Sequence, residues 1–313
     1  MPQHFHVLLN PNAGAALAAG LTAESLRELF EREGHLADID DDSAAPMNAR
    51  LERIRQSSAD VIVAAGGDGT VTAVAQAIVG TSKTLAIIPL GTVNALARDL
   101  AVPFDLGEWV RSLDRMEPRR IDVGEVNGAI FLHKVVVGFI PGIAAARERI
   151  RKETRLSAKL GFVRFFFRRL FRSRRLAIEF RNAEGVARLL RVVSLAVANN
   201  EYDEGLGRFF ARSRFDRNTL GLYFLKHLSL IDLMRLTVEM AIGRWQHDPA
   251  LEVDTSAAAL LRTRKRLLKV MLDGEVMTLQ TPLRFSVRPA ALSILAPPAV
   301  PDDQTQPAGA EAF

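Results

Sequence analysis

The sequence predicts an α/β protein of two domains, in which an N-terminal domain built on a parallel sheet precedes a second, mostly antiparallel β-rich domain. Three observations predict this fold. The chain has 313 residues, which is enough for two domains of roughly 100 to 200 residues each. Short apolar runs alternate with helical patterns in the first third of the chain, as they do in α/β domains. From about Ile121 onward, short strand patterns follow one another between turns.

The elements of the first domain follow from the spacing of apolar residues. Leu26, Leu29 and Phe30 fall on one face of a helix that Thr22 can cap and that ends near Gly34. Runs that are apolar at every position are typical of strands buried on both faces of a parallel sheet. The first domain is therefore predicted to contain strands at 5–9, 61–65 and 85–89, and helices at 71–79 and through Leu96 and Leu100, before Pro103.

The second domain is defined by strand patterns between Gly, Asn and Asp turns. We expect the domain limits to be 1–120 and 121–296. The Pro- and Ala-rich tail at 297–313 is expected to be disordered. The strands predicted in the second domain are 123–126, 131–137, 176–180, 190–197, 220–225, 267–272 and 276–279.

The composition excludes several classes of protein. Because the chain has no cysteine, it can hold neither a disulfide framework nor a thiolate metal site. No run approaches the ~20 apolar residues of a membrane-spanning helix, and the first residues lack the features of a signal peptide. Beyond the pair His4 and His6, which strand alternation explains, the six histidines show no metal-ligand spacing. We therefore expect a cytoplasmic location.

Basic residues are concentrated in one segment, residues 147–175. It holds 12 Lys/Arg and 2 Asp/Glu, a net charge of +10, whereas the rest of the chain holds 29 against 34, a net charge of −5. Five phenylalanines stand among these arginines, and basic residues beside exposed aromatic rings suit an anionic bilayer surface. A solvated helix with a buried phenylalanine stripe and a nucleic-acid patch are the alternatives. We expect peripheral association with the membrane through this segment and no nucleic-acid partner.

The strongest local signal is the sequence GGDGT at 66–70, between a predicted strand and a predicted helix. Glycines allow the main chain to approach a ligand closely, and the N–H groups at the start of a helix attract phosphate. Asp68 could then orient a phosphate-bound Mg²⁺ or bond to a nucleotide. The alternative is a tight turn in which Asp68 acts as a helix cap.

Two further loops follow other strands of the same predicted sheet, NPNAG at 10–14 and GTVN at 91–94. Because the carboxyl ends of parallel strands open on one crevice, the three loops predict a single ligand site. The sequence lacks the signatures of a P-loop and of a Rossmann dinucleotide site. The candidate nucleotide-binding residues are Asn10, Pro11, Asn12, Gly14, Gly66, Gly67, Asp68, Gly69, Thr70, Gly91, Thr92 and Asn94.

These motifs carry a resemblance to a known family. NPNAG, GGDGT and PLGTVNALARDL at these separations, with LDGE at 272–275, resemble the diacylglycerol kinase catalytic family, which includes sphingosine kinases and many bacterial lipid kinases. The resemblance covers about residues 5–295 and is strongest in the first 120 residues and at 273–275. It implies a lipid kinase that holds ATP and Mg²⁺ at the glycine-rich loops and phosphorylates the hydroxyl of a membrane-derived lipid such as diacylglycerol. It also implies that the β-rich domain helps to bind the lipid.

Asp273 is the residue that the resemblance implies as general base. On its own, Asp-Gly between two apolar strands indicates a hairpin turn. In the family, the Asp of the D-G-E motif is the proposed base, and a carboxylate can accept the proton of a lipid hydroxyl as its oxygen attacks the γ-phosphorus. Glu275, two residues further on, would position Asp273 or a metal.

The sequence departs from the family pattern at several places. Thr72 and Ala73 stand where family members often have Asn and Glu after GGDGT, so one acidic contact to the nucleotide or metal is expected to be missing. Ala95 stands where many members have Asp. The stretch at 216–218 corresponds to a structural metal site of the family, but its sequence, Asp-Arg-Asn, does not support a metal prediction.

Two other functions stay open on the sequence alone. NAD kinases also resemble the chain around GGDGT, which allows a soluble acceptor instead of a lipid. A nucleotide-binding regulator that docks on membranes without turnover would explain the missing acidic contact. The partners expected are a lipid substrate and an anionic membrane surface, and a homodimer is left open.

Overall fold

The computed structural model describes residues 4–138, 175–206 and 210–298. The predicted basic segment lies outside this part of the chain except for Arg175, and the predicted tail lies outside it except for its first two residues. Among the described residues, no helix is both long enough and apolar enough to cross a membrane.

The contacts divide the described residues into two compact units. The first unit contains residues 4–123 and 289–298, and the second contains the described residues of 124–288. The helices are α1 (Gly14–Ala19), α2 (Ala23–Arg32), α3 (Met47–Gln56), α4 (Asp68–Ile78), α5 (Ala95–Asp99), α6 (Leu106–Ser112) and α7 (Leu230–Ile242). The strands are β1 (His4–Leu9), β2 (Leu36–Asp40), β3 (Val61–Gly66), β4 (Thr84–Pro89), β5 (Glu117–Val126), β6 (Ala129–Phe131), β7 (Lys134–Gly138), β8 (Leu176–Asn182), β9 (Ala187–Val192), β10 (Ser194–Asn199), β11 (Leu220–Leu225), β12 (Leu251–Ser256), β13 (Ala258–Arg262), β14 (Leu267–Leu272), β15 (Glu275–Gln280) and β16 (Leu283–Ala296).

The first unit is built on a parallel sheet in the order β2-β1-β3-β4-β16. Its central strands are apolar and buried along nearly their whole length, which is why the sequence shows continuous apolar runs rather than alternation. The last strand to join, β16, is far away in sequence and pairs with β4 through Ser293 and Ile294. The sheet therefore contains one strand from the end of the described chain.

Aromatic packing holds helices to this sheet. The ring centroids of Phe5 on β1 and Phe30 on α2 lie 5.3 Å apart, and those of Phe30 and Trp109 on α6 lie 6.0 Å apart. All three rings are buried, and the indole N–H of Trp109 donates a 2.7 Å hydrogen bond to the carbonyl of Ile87 on β4. This buried polar group is therefore satisfied, as a stable core requires.

Helix starts in the first unit confirm one prediction and correct another. Thr22 caps α2, since its hydroxyl accepts from the Ser25 N–H at 3.1 Å and Ser25 bonds back to Thr22. The helix predicted at 71–79 begins earlier, at Asp68, because the Val71 N–H already donates to the Gly67 carbonyl. Within GGDGT, Gly66 therefore ends β3, Gly67 forms the short connection, and the last three residues are the first turn of α4.

The second unit is rich in antiparallel strands. One sheet has the order β12-β11-β10-β7-β14-β15, and a second set pairs β16 with β13, β13 with β8, and β8 with β9. Their buried faces meet in a core where the rings of Phe180 and Phe224 pack edge to face at 5.1 Å. The predicted fold class, a parallel α/β domain followed by a β-rich domain, is confirmed.

Two strands of the second unit were predicted as continuous but are interrupted. The run 190–197 divides at Val193, because β9 pairs in one sheet and β10 in the other, so the chain changes sheets there. The run 131–137 divides after Phe131, because the N–H groups of the next residues donate to a carboxylate instead of to a strand. That carboxylate belongs to Asp273.

Candidate functional site

The three predicted nucleotide loops lie at the carboxyl ends of β1, β3 and β4, and main-chain hydrogen bonds join them. The Asn10 N–H donates to the Ala65 carbonyl at 2.8 Å, and the Leu90 N–H donates to the Gly66 carbonyl at 3.0 Å. The Ala15 N–H then donates to the Leu90 carbonyl at 3.1 Å. The structure therefore brings together the loops that the sequence predicted to converge.

Two of these loops touch at glycines. A Cβ added to Gly91 would lie 2.5 Å from the Gly67 Cα, and a Cβ added to Gly67 would lie 3.2 Å from the Gly91 Cα. Side-chain carbons are not found at the first of these distances, so the backbones can approach this closely only because Gly91 lacks a Cβ, whereas a Cβ on Gly67 would be a tight contact. The sequence predicted glycine for approach to a ligand, whereas the structure shows approach of one loop to the other.

Asp68 joins α4 to the start of α5. Its two carboxylate oxygens accept hydrogen bonds from the N–H groups of Asn94 at 3.0 Å and Ala95 at 2.7 Å. Both donors belong to the first turn of α5, where main-chain N–H groups have no partner within the helix. Asp68 is therefore a cap, but of the neighbouring helix rather than of its own, and its contact with a nucleotide stays a prediction.

Asn94 fixes the shape of the third loop. Its backbone is in the left-handed region at φ 50°, which asparagine tolerates better than most residues. Its side-chain oxygen accepts from the Gly91 N–H and its amide donates to the Gly91 carbonyl, both at 2.9 Å. Asn94 is buried, so its side chain is an internal brace of the loop.

The loop at 10–14 is linked to the same place through Asn10. Its side-chain amide donates to the Thr70 hydroxyl at 3.3 Å, and its side-chain oxygen accepts from the Asn12 N–H at 3.1 Å. Thr70 is buried against Gly66, where a Cβ on the glycine would lie 2.6 Å from the threonine side chain. The remaining predicted residues are partly or fully exposed around this centre: Pro11, Asn12, Gly14, Gly69 and Thr92.

The joined loops can bind an anion. Helix α4 begins at Asp68, so the N–H groups of its first turn have no carbonyl of an earlier turn to bond. These groups and the positive end of the helix dipole favour negative charge, and Gly67 and Gly69 offer no side chain that would block it. A phosphate is the ligand that fits this chemistry.

In the second unit, Asp273 occupies the hairpin turn that its sequence indicated. Asp273 and Gly274 have φ values of 44° and 96° between β14 and β15, as in a two-residue hairpin loop. The carboxylate accepts the N–H groups of Leu132 at 2.7 Å and of His133 and Lys134 at 2.9 Å. Glu275 begins β15 and is exposed. The position of the Asp273 carboxylate is therefore fixed by three main-chain donors.

Three residues that the sequence did not single out support this arrangement. Buried Arg212 donates to the carbonyls of Leu132 and Asn199, both at 2.8 Å. His133 lies 3.0 Å from the Tyr202 hydroxyl through its Nδ1. Burial, followed by the charges of Arg212 and Lys134, holds the pKa of His133 well below its ordinary value. No local motif could have revealed this cluster, because its members come from separate strands and loops.

The described residues offer little to a metal ion by themselves. They contain no group of three or more His, Asp or Glu side chains placed to hold one. In the second unit, Arg217 lies between two carboxylates, 3.3 Å from Glu201 and 2.8 Å from Asp203, and Asp216 pairs with Arg214 at 3.2 Å. Each of these three carboxylates is therefore paired with a guanidinium group.

A cavity of about 360 Å³ lies elsewhere in the first unit, beside β2. Its acidic lining is largely neutralised, because Arg53 bonds to Asp42 at 2.9 Å and to Asp40 at 3.2 Å. None of the predicted nucleotide residues lines it. Because loop convergence and free helix-start N–H groups occur at 66–70 instead, we place the candidate site there.

Two family models match this chain. The family model "Diacylglycerol kinase catalytic domain" matches residues 4–126, and "YegS C-terminal NAD kinase beta sandwich-like domain" matches residues 139–296. A Pseudomonas aeruginosa protein named "Probable lipid kinase YegS-like" is 32% identical over 245 residues, covering 77% of this chain and 78% of that protein. A Pseudomonas syringae pv. tomato protein of the same name is 44% identical over 80 residues, which are 25% of this chain and 26% of that protein.

A solved structure shows the same fold. The crystal structure of a diacylglycerol kinase from Bacillus anthracis has a TM-score of 0.67 and 19% identity, with 96% of this chain and 98% of that chain covered. The two matched domains define an enzyme of the kinase class, a phosphotransferase. The chain belongs to the YegS-like family of kinases with a diacylglycerol kinase catalytic domain.

The glycine contact predicts a specific defect. In Gly91→Ala the new methyl group must push the two loops apart, and overpacking of this kind costs about 1–3 kcal/mol of unfolding free energy. Thermal unfolding without ligand should show a lowered midpoint. Gly107→Ala on α6 is the matched control, since its Cβ would meet only ordinary contacts, the nearest at 3.4 Å, and its midpoint should not fall. Equal midpoints for the two variants would contradict the loop contact.

The lowered pKa of His133 predicts a pH effect on stability. Below about pH 6.5 the unfolded chain protonates this histidine whereas the folded chain does not, so protons favour unfolding. Stability should fall as the pH drops from 7.5 to 5.5, with up to about 1.4 kcal/mol per pH unit from this group. The free energy of unfolding, measured with denaturant at several pH values, should depend less steeply on pH in His133→Gln than in the wild type. If the unfolding free energies of the wild type and of His133→Gln changed equally with pH, the pKa of His133 would not be lowered in the folded protein.

Proposed function

We propose that this enzyme is an ATP-dependent lipid kinase that transfers the γ-phosphate of ATP to the hydroxyl of a membrane-derived lipid such as diacylglycerol. The observation that carries the proposal is the joining of three glycine-bearing loops around the start of α4 in a chain of the YegS-like family. The names of the relatives support a lipid as the acceptor, and the geometry of the loops supports the binding of phosphate.

In the proposed reaction, the first-turn N–H groups of α4 hold phosphate oxygens of ATP. The loops hold one another in place before the nucleotide binds. Asp68 accepts hydrogen bonds from the start of α5, and the Asn94 side chain accepts one from Gly91. Pre-organised donors of this kind stabilise the charge of a transferring phosphoryl group without rearranging. When bound with the nucleotide, Mg²⁺ would neutralise phosphate charge, and it would be held largely by the phosphates themselves.

Asp273 acts as general base in this proposal. The lipid oxygen attacks the γ-phosphorus, its O–H bond breaks, and the proton passes to the Asp273 carboxylate while the bond from the γ-phosphorus to the bridging oxygen of ADP breaks. The three N–H donors at 132–134 orient this carboxylate. Glu275 is exposed next to the turn and would support Asp273 by its charge.

A soluble acceptor is the second candidate, favoured by one observation. The model that matches residues 139–296 is described as NAD kinase beta sandwich-like, so the second unit has a fold shared with enzymes that phosphorylate a dinucleotide. The acceptor therefore has to be identified by experiment rather than by fold.

Transfer of radiolabelled γ-phosphate to a panel of acceptors tests the proposed function. Diacylglycerol, ceramide, sphingosine and monoacylglycerol in mixed micelles, and NAD in solution, should be compared with Mg²⁺ present. We expect label in a lipid and none in NAD. Label in NAD alone would establish the soluble-acceptor alternative, and no label in any acceptor would favour the regulator that binds nucleotide without turnover.

Asp273→Asn separates chemistry from binding. The amide cannot accept the proton, and removal of a positioned base should lower kcat by about 10²- to 10⁴-fold with little change in ATP affinity. Because the side chain also accepts three N–H bonds, a matched control is needed. Asp122→Asn is that control, because it also changes a buried carboxylate that accepts a main-chain N–H group. Asp122 lies in the first unit and accepts the Ala290 N–H at 3.0 Å. Asp273 would not be the base if both variants lost turnover equally.

A further inference from the structure

Helix α7 presents its apolar residues to solvent. Ile231, Met234, Val238 and Ile242 are 68%, 56%, 59% and 50% exposed, and their spacing places them along one face. The other exposed positions of the helix are Leu230, Thr237 and Ala241, so no charged residue lies on this face. A surface helix normally has the opposite arrangement, with its charged residues outward.

The charged residues of α7 face the protein instead. Arg235 bonds to both oxygens of the buried Asp248, at 2.6 and 2.9 Å, and to Asp232 at 3.0 Å. Asp232 is itself buried and lies 2.9 Å from His227. These contacts fix the rotation of the helix about its axis. The apolar face is therefore held outward by ion pairs.

Both ends of α7 are also fixed. Ser229 and Asp232 form a capping box at its start, and Gly243 ends it in the left-handed conformation at φ 76°. A Cβ on Gly243 would lie 2.3 Å from the Gly205 carbonyl carbon, so the helix end packs directly on the backbone there. The next residue, Leu206, is 70% exposed and adds another apolar side chain near this end.

A cation lies near each end of the helix in the sequence. Lys226 comes four residues before Leu230 and Arg244 two residues after Ile242, and neither forms an ion pair with another described residue. Arg244 is exposed and Lys226 partly so. An aliphatic strip with a cation at either end complements a surface that is apolar inside and anionic at its boundary.

The size of the strip argues against a second copy of the chain as its occupant. Thirteen residues at about 1.5 Å each give a helix about 20 Å long, and a strip about 10 Å wide then covers about 200 Å². A stable dimer buries about 800 Å² on each partner. A bilayer has no such requirement, because it accepts the strip without having to match its shape.

We propose that α7 is a membrane-docking helix, which lies in the interface of an anionic bilayer with its aliphatic face toward the acyl chains and with Lys226 and Arg244 at the headgroups. The choice of a lipid surface rests on the proposed lipid kinase function, since an enzyme whose acceptor stays in a membrane must reach that membrane. The helix is distinct from the basic segment at 147–175.

Co-sedimentation of the full chain with vesicles tests this, without ATP and therefore independently of turnover. The variant carries Ile231→Gln, Met234→Gln, Val238→Gln and Ile242→Gln, which keep helix propensity. The matched control carries four equally exposed changes off the helix: Leu36→Gln, Val186→Gln, Leu189→Gln and Leu267→Gln. On phosphatidylglycerol–phosphatidylcholine vesicles, partition of the α7 variant should fall by about tenfold or more and that of the control should not. Thermal melts and size-exclusion chromatography accompany both.

The outcomes separate this inference from the proposed function. Vesicle binding equal for wild type, control and the α7 variant would overturn the docking role, even if lipid phosphorylation were established in micelles. A dimeric wild type that becomes monomeric in the α7 variant, with vesicle binding unchanged, would assign the face to a second copy. Loss of vesicle binding only in the α7 variant supports docking, even if no lipid in the panel accepted phosphate.

A labelling experiment gives a second reading that does not depend on loss of binding. Because the chain has no cysteine, Met234→Cys creates a single attachment point for an environment-sensitive fluorophore, and Leu189→Cys is its control. Vesicles should shift the emission of the label at 234 to shorter wavelength, and quenchers attached to acyl chains should reduce it. A label at 234 that responds no more than the label at 189 would contradict insertion of α7.

Discussion

The hydrogen bonds from the start of α5 to the Asp68 carboxylate are the interaction on which the candidate site depends. Asp68 is the first residue of α4, so one negative charge lies at the positive ends of two helices at once. Without that carboxylate, the N–H groups of Asn94 and Ala95 would lose the partner that joins them to α4. With it, the loop that contains Asn94 is joined to α4 at the place where Gly67 and Gly91 are in contact.

A carboxylate that accepts main-chain N–H groups also organises the second unit. Asp273 at the hairpin and Asp68 at the loops each accept main-chain N–H groups from another segment of the chain and so fix that segment in place. Each acidic residue therefore has a structural task whether or not it also takes part in phosphoryl transfer. Loss of activity on replacing either one is ambiguous unless the stability of the same variant is known.

Much of this could be predicted from the sequence where the signal is local. The apolar runs of β3 and β4, the cap at Thr22, the convergence of three loops and the Asp-Gly hairpin all depend on neighbouring residues or on the general topology of parallel sheets. What could not be predicted depends on contacts between distant segments. The break after Phe131 exists because of Asp273, and Arg212 reaches Leu132 only in the folded unit. Two helices were also not predicted. Helix α3 is mostly polar, and the apolar residues of α7 face solvent rather than a core.

The position of β16 has a consequence for how the protein is made. Its final residues complete the sheet of the first unit, where Ile294 lies beside Leu85 and the Ser293 and Thr84 hydroxyls are 3.0 Å apart. A ribosome synthesises about two hundred residues between β4 and this partner. The edge of β4 therefore stays without this partner until β16 has been translated, and an unpaired edge of apolar sequence is a site where chains associate. The sheet of the first unit therefore begins with β1 and is completed only by the last strand of the described residues.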